Sequence, residues 1–216
     1  METDRLIDAL VAETAPVRRL PPPRRRLLSW LAVSLPALAM LVAVMGLRHD
    51  LALRLAEPRF LTQETAALAT ALTAALAALY AGIPGTPRWR LTLPLLPFAV
   101  WTLSLGQQCW HEWLAFGLSG MSFHPDAECI PGIAMAGLAP ALAMLAMIRR
   151  GAPFQPRLTV GLATLAAAAL GDAALRLFHP IDAGLMVLVW QFGTVLLLAL
   201  LAALAGRQLL PLRKNL

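Results

Sequence analysis

Apolar residues fall in six long blocks separated by short polar joints. The blocks run approximately over Leu27–Leu47, Leu61–Ala81, Leu91–Leu105, Ile130–Ile148, Leu158–Leu177 and Ala183–Ala205. Most approach the ~20 residues that a helix needs to cross a hydrocarbon core of ~30 Å. The third is short unless it continues through Gln107–Trp110. Several blocks are heavy in Ala, with few Ile and Val, as in LATALTAALAALYAG. Small side chains let helix backbones approach closely. The pattern predicts an all-α integral membrane protein of six transmembrane helices packed as a compact bundle. Pro36, Pro94, Pro97 and Pro140 lie within blocks and are expected to kink them.

Ahead of the first block, residues 1–26 form the one sizeable polar segment. It opens with a short amphipathic helical signal. Thr3 is placed to cap the helix, and Asp4 suits the positive end of its dipole. Leu6, Ile7, Leu10 and Val11 make one apolar stripe, with Asp4, Arg5, Asp8 and Glu13 on the other side. Pro16 and the run Pro21–Pro23 end the helix and favour an extended linker. About ten helical residues are marginal alone in water, so the stripe needs a surface to bury against. Only Arg5 is basic on this helix, which suits an anionic lipid surface poorly and favours a protein partner over an interfacial foot.

Composition agrees with the pattern. Of the 216 residues 59% are hydrophobic and 14% charged, against ~25% charged in ordinary soluble chains. The mean hydropathy is +0.68. No cleavable signal peptide is evident, because the first apolar block starts late and exceeds the ~7–15 residues of such a segment. The net charge of +6 sits at the ends of apolar blocks, which reads as membrane topology and not as nucleic-acid binding. With the N-terminus inside, 14 Arg and Lys fall on the cytoplasmic side, and Arg48, Arg54, Arg59 and Arg176 on the other. The expected organisation is a cytoplasmic segment over 1–26, a six-helix domain over 27–205 and a cytoplasmic tail over 206–216. The stretch 106–129 becomes a periplasmic loop.

That stretch, GQQCWHEWLAFGLSGMSFHPDAEC, holds both cysteines, Cys109 and Cys129, with His111, His124, Glu112, Asp126 and Glu128, and no Lys or Arg. Three readings stand side by side. In an oxidising compartment the two thiols can form a staple, worth about 3 kcal/mol in the chain-entropy model. Alternatively Cys109, His111, His124 and Cys129 offer a soft four-ligand set for a metal, or thiols open to oxidation, although the spacing matches no standard zinc motif. A thiol oxidoreductase is third, and lacks the closely spaced C-x-x-C pair that tunes thiolate chemistry.

Charges inside the blocks are few. Asp172 is followed one turn later by Arg176, which predicts a structural ion pair on one helix face. Glu64 lies near the start of its block and is expected to be solvated. His49 and His179 sit at outer block ends, where interfacial roles are expected. No nucleotide-binding glycine pattern, nucleophile elbow or H-E-x-x-H motif occurs, so catalysis has no positive support.

Several short motifs, taken in order, resemble one family. They are T-x-x-L-I-x-x-L (Thr3, Leu6, Ile7, Leu10), A-P-V-R-R-L (Ala15–Leu20), EPRF (Glu57–Phe60), RRGAP (Arg149–Pro153) and FHP-x-D (Phe178–Asp182). With the six-block layout they are similar to the NrsF family, negative regulators of sigma F. The resemblance implies a bacterial inner-membrane anti-sigma factor that holds an extracytoplasmic-function sigma factor inactive and releases it on stress. It further implies Cys109 and Cys129 as a periplasmic pair sensing heavy metal or oxidant, and Leu6, Ile7, Leu10 and Val11 as sigma-binding residues. No resident cofactor is implied, only transient heavy-metal capture. Unlike many anti-sigma factors, the chain has no large cytoplasmic domain and no H-x-x-x-C-x-x-C motif. The competing reading is a small polytopic transporter or membrane scaffold with a structural disulfide.

Overall fold

The computed structural model describes residues 2–13, 20–117, 129–151, 154–180 and 183–210. The regular structure among them is helical. It comprises α1 (Glu2–Glu13), α2 (Pro23–Met45), α3 (Leu51–Leu55), α4 (Pro58–Ala81), α5 (Arg88–Leu91), α6 (Leu95–Phe116), α7 (Cys129–Arg149) and α8 (Pro156–Leu175). A last apolar run contains α9 (Gly184–Met186), a π-helical stretch (Val187–Phe192) and α10 (Gly193–Leu204), and α11 (Gly206–Leu209) follows it. Five helices among the described residues are long and apolar enough to cross a membrane: α2, α4, α7, α8 and the run Gly184–Leu204.

The third expected span differs from its prediction. The block that starts at Leu91 breaks at Thr92–Pro94, and a new helix begins at Leu95 and runs on to Phe116. α6 has the length of a span, but its second half carries Gln107, Gln108, His111 and Glu112. Half of the stretch expected as a loop is therefore helix, up to Gly117, whose positive φ of 62° ends it. Pro94 and Pro97 lie at the start of α6, where the first N–H groups have no intrahelical acceptor, so neither interrupts the ladder. Pro36 and Pro140 are the two that stand inside helices. Pro140 gains a bond from another helix: the buried Trp30 Nε1 donates to its carbonyl at 2.8 Å.

The bundle is built around α8. It packs against α4, α7 and α10, while α6 lies on α4 and α2 bridges α7 and α4. α4 and α8 are the most enclosed of the five apolar helices, and Ala is the residue that each buries most often. Ala66, Ala67, Ala71, Ala74, Ala75 and Ala78 of α4 meet an equally small-sided α8. Larger apolar residues such as Met40, Val44, Leu96, Leu103 and Leu204 point outward, which suits a lipid-facing surface and would be a liability in water. A very close approach joins α7 to α8. A Cβ on Gly171 would lie 2.8 Å from the Gly137 amide nitrogen and 3.0 Å from the Ile133 carbonyl oxygen. Gly171→Val is therefore expected to push α7 off α8 and to destabilise the bundle by at least the ~1–3 kcal/mol usual for overpacking. A lowered unfolding midpoint in detergent checks this.

Cross-helix bonds show which helix ends lie together. Arg26 Nη2 donates to the Met147 carbonyl at 2.7 Å, joining the start of α2 to the end of α7. Arg149 Nη2 donates to Leu209 at 3.4 Å at that same end. At the other end, the Arg48 amide donates to the Leu177 carbonyl at 3.0 Å. The apolar helices thus run up and down, and Arg26 and Arg149 stand at the opposite end from Arg48, Arg54 and Arg176.

Candidate functional site

α1 forms as the periodicity predicts, although it starts at Glu2, so Thr3 lies within the first turn and is not the cap. Its stripe is uncovered: Leu6, Ile7, Leu10 and Val11 are 52 to 65% exposed. Every described side chain from Thr3 to Glu13 is exposed, so the helix buries neither face against the bundle.

The cysteines are held by helices. Cys109 is half-buried on α6, and Cys129 is the buried first residue of α7; both carry thiols, with no disulfide between them. Because Cys109 and His111 are two residues apart on a helix, they project to opposite sides. His111 is exposed, while Cys109 faces inward. On α6 the thiol and the imidazole therefore do not share a face. His124, Asp126 and Glu128 lie outside the described residues. Among the described residues no group of three His, Cys, Asp or Glu side chains is placed to hold a metal ion.

One side of Cys109 adjoins a chain of polar contacts that crosses three helices. Glu112, one turn on, accepts from Gln108 Nε2 at 2.8 Å and from the Gly184 amide at 3.1 and 2.9 Å. Gln108 in turn accepts from Gln63 Nε2 of α4 at 2.8 Å. Gln63 accepts from Arg176 Nη2 at 3.0 Å, and Arg176 Nε lies 3.2 Å from Glu64 Oε1. The Arg176 guanidinium also stacks over Phe60, 4.6 Å from the ring centre. Gly184 is the hinge of this arrangement. A Cβ there would stand 2.9 Å from Gln108 Cγ, 3.0 Å from a Glu112 oxygen and 3.1 Å from the Cys109 amide nitrogen. Only a residue without a side chain lets the Gly184 amide reach Glu112.

This network overturns two expectations. Arg176 pairs across helices with Glu64 and not along its own helix with Asp172, because residue 176 follows the end of α8 and its side chain turns towards α4. Glu64 is not solvated; it is 8% exposed. Asp172 is fully buried, and neither of its oxygens accepts a hydrogen bond from a described residue. His179 contributes its carbonyl to Arg48 Nη1 at 3.5 Å. Nearby, Arg48 bonds Asp50 at 2.7 and 3.0 Å. Those bonds hold the Asp50 carboxyl well below the usual carboxylate range; burial opposes them and Arg54 adds to them.

A cavity of about 320 Å³ opens over the network. Arg176, Gln63 and Gln108 form its buried floor, and Arg54, Glu57 and Arg59 line its outer wall. Gln63 on one apolar block and Gln108 and Glu112 on another share no local pattern that groups them as a site. The available signal was a pair of amide or acidic residues near the same-side ends of two blocks, Gln63-Glu64 and Gln107-Gln108.

Fold and site together define a class: a helical bundle with a membrane-type exterior, a polar network at one end and a separate amphipathic helix ahead of its first long helix. The chain belongs to the NrsF family, described as negative regulator of sigma F, whose family model matches residues 10–211. Leu10, Val11, both cysteines and the whole polar network lie within that match, and Leu6 and Ile7 just before it. No curated protein and no solved structure is similar enough to match the chain.

Proposed function

We propose that the chain is a bacterial inner-membrane anti-sigma factor. It sequesters an extracytoplasmic-function sigma factor through the apolar face of α1 and releases it when Cys109 and Cys129 are oxidised or capture a heavy metal. The observation that carries this reading is the uncovered stripe of Leu6, Ile7, Leu10 and Val11, in a family named for restraining a sigma factor. An amphipathic helix with one bare apolar face is a ready docking element for a groove on a partner.

The charge distribution favours cytoplasmic N- and C-termini, with α6 as the sixth span and the cysteines on the periplasmic side. Transmission then has a physical route. A change at Cys109 moves the outer end of α6, and Gln108, Gln63 and Arg176 couple that end to α4 and α8. Those two helices are the centre of the bundle, so a shift between them reaches the opposite face. Coupling of about 1–3 kcal/mol, typical of such switches, is sufficient.

The test is co-purification from detergent-solubilised membranes, before and after exposure to oxidant or heavy metal, with mass spectrometry of what is retained. The wild-type chain retains a sigma factor at rest and loses it on exposure. Cys109→Ser with Cys129→Ser is expected to keep the resting complex and to remove at least nine-tenths of the induced release. Unchanged release in that double variant would end the sensor assignment. A wild-type chain that retains no sigma factor would end the reading as a whole.

A further inference from the structure

We propose that the Arg176 guanidinium is a two-position switch, seated on Glu64 in this structure and with a second seat on Asp172. Its transfer from one to the other relays the state of Cys109 to the centre of the bundle. The relay rests on the sensor reading above; the two seats do not.

One buried guanidinium stands between two buried carboxylates. Arg176 is 2% exposed, Glu64 8% and Asp172 0%. Arg176 Nε lies 3.2 Å from Glu64 Oε1, and its Nη2 donates to Gln63 at 3.0 Å. The other charges at this end are engaged elsewhere. Arg48 and Arg54 hold Asp50, Arg54 also holds Glu57, and Gln108 with the Gly184 amide holds Glu112. Arg59 is exposed. Neither Asp172 oxygen has a donor among the described residues. A carboxyl group buried in that way is costly, and one turn along its own helix stands the cation that Glu64 already holds.

The backbone lets the same guanidinium serve both. The Arg176 amide donates to the Asp172 carbonyl at 3.1 Å, and residue 176 keeps a helical conformation (φ −64°, ψ −14°). The two side chains therefore leave one face of the helix, ~5–6 Å apart at Cβ, and side-chain rotation alone carries the guanidinium across. What keeps it on Glu64 comes from α6. Gln63 Nε2 donates to Gln108, and Gln63 Oε1 accepts from Arg176. Cys109 is the next residue, on a turn so close to Gly184 that a Cβ there would stand 3.1 Å from the Cys109 amide nitrogen. Displacement of this turn draws Gln108 off Gln63 and frees Arg176 to turn to Asp172. Glu64 then loses its partner, and α4 its bond to the end of α8.

Unfolding of the full chain in mixed micelles counts the seats, with wild type beside Glu64→Gln, Asp172→Asn and the double variant. Either single change leaves one seat and lowers the folded-to-unfolded ratio less than about tenfold. The double variant strands the guanidinium and falls at least about tenfold below the product of the singles, an excess that vanishes in an Arg176→Met background. A double variant that does not fold while both singles do gives the same answer. The two seats are overturned if the double variant matches the product of the singles, if Glu64→Gln alone fails as the double does, or if the excess persists without Arg176. In cells, Asp172→Asn is expected to keep the resting sigma-factor complex and to cut oxidant-induced release by about fivefold or more. Full release in that variant would end the relay. A wild-type chain that retains no sigma factor would end the sensor reading and the relay with it, while the unfolding result still decides the two seats.

Discussion

Leu6→Asp with Leu10→Asp is expected to weaken sigma-factor binding by at least a hundredfold while leaving the bundle intact. Both side chains are more than half exposed in the free chain, so binding a partner is what would bury them. Each buried Leu contributes roughly 1.5–3 kcal/mol, and two together correspond to roughly two to four orders of magnitude in Kd. The aspartates add the cost of taking charge out of water. No described side chain of α1 is buried against the bundle, so the unfolding midpoint of the rest of the chain should stay within error of wild type. Binding of purified sigma factor to the chain in nanodiscs, read by interferometry, gives the ratio. A loss below threefold would move the grip elsewhere, to the cytoplasmic loops 84–90 and 149–157.

Arg176→Met carries the second large effect. The guanidinium is 2% exposed and serves Glu64, Gln63 and Phe60 at once. Removing one partner of a buried ion pair typically costs about 3–5 kcal/mol, chiefly because the other charge is left buried without compensation. Here the Glu64 carboxylate is left, and Asp172 stands one turn away with no hydrogen-bond donor from a described residue. Adding Glu64→Gln to Arg176→Met should recover most of the loss, since a neutral amide in that place needs no counter-charge. Unfolding of the single and double variants in mixed micelles measures both steps. A cost below about 1 kcal/mol for Arg176→Met, or no recovery in the double variant, would mean that this network does not hold α4 to α8.

Much of the fold could be read from the chain because its cause is local. Helices of membrane length follow from uninterrupted apolar blocks, and close packing follows from Ala and Gly on α4, α7 and α8. The stripe on α1 likewise depends only on 3.6-residue periodicity. α6 was harder: its second half mixes Gln107, Gln108, His111 and Glu112 into an apolar helix, and hydropathy reads that mixture as a loop. The helix forms because Gln108 faces inward to Gln63 while His111 faces outward.

The polar network was not legible for a different reason. Spacing along one helix makes Asp172 and Arg176 neighbours, but the register of α4 against α8 decides that Arg176 meets Glu64 instead. Such register is set by the packing of small residues such as Ala71, Ala74 and Ala78 of α4 against α8, and no local pattern encodes it. The π-helical stretch Val187–Phe192 belongs with it. Gln191 is buried there without a hydrogen-bond partner among the described residues, and nothing in its sequence neighbourhood marks it.

The most direct test of the central claim is site-specific photo-crosslinking in growing cells. A benzophenone amino acid is placed at position 10 (Leu10→p-benzoylphenylalanine), on the exposed stripe, and at position 89 (Trp89→p-benzoylphenylalanine) as a control on an exposed loop helix. If α1 holds the partner, irradiation joins position 10 to a sigma factor at rest, position 89 yields far less, and the product disappears after exposure to oxidant or heavy metal. Crosslinks from position 10 to lipid or to this chain alone, with no sigma factor, would contradict the assignment of α1 as the sigma-binding helix.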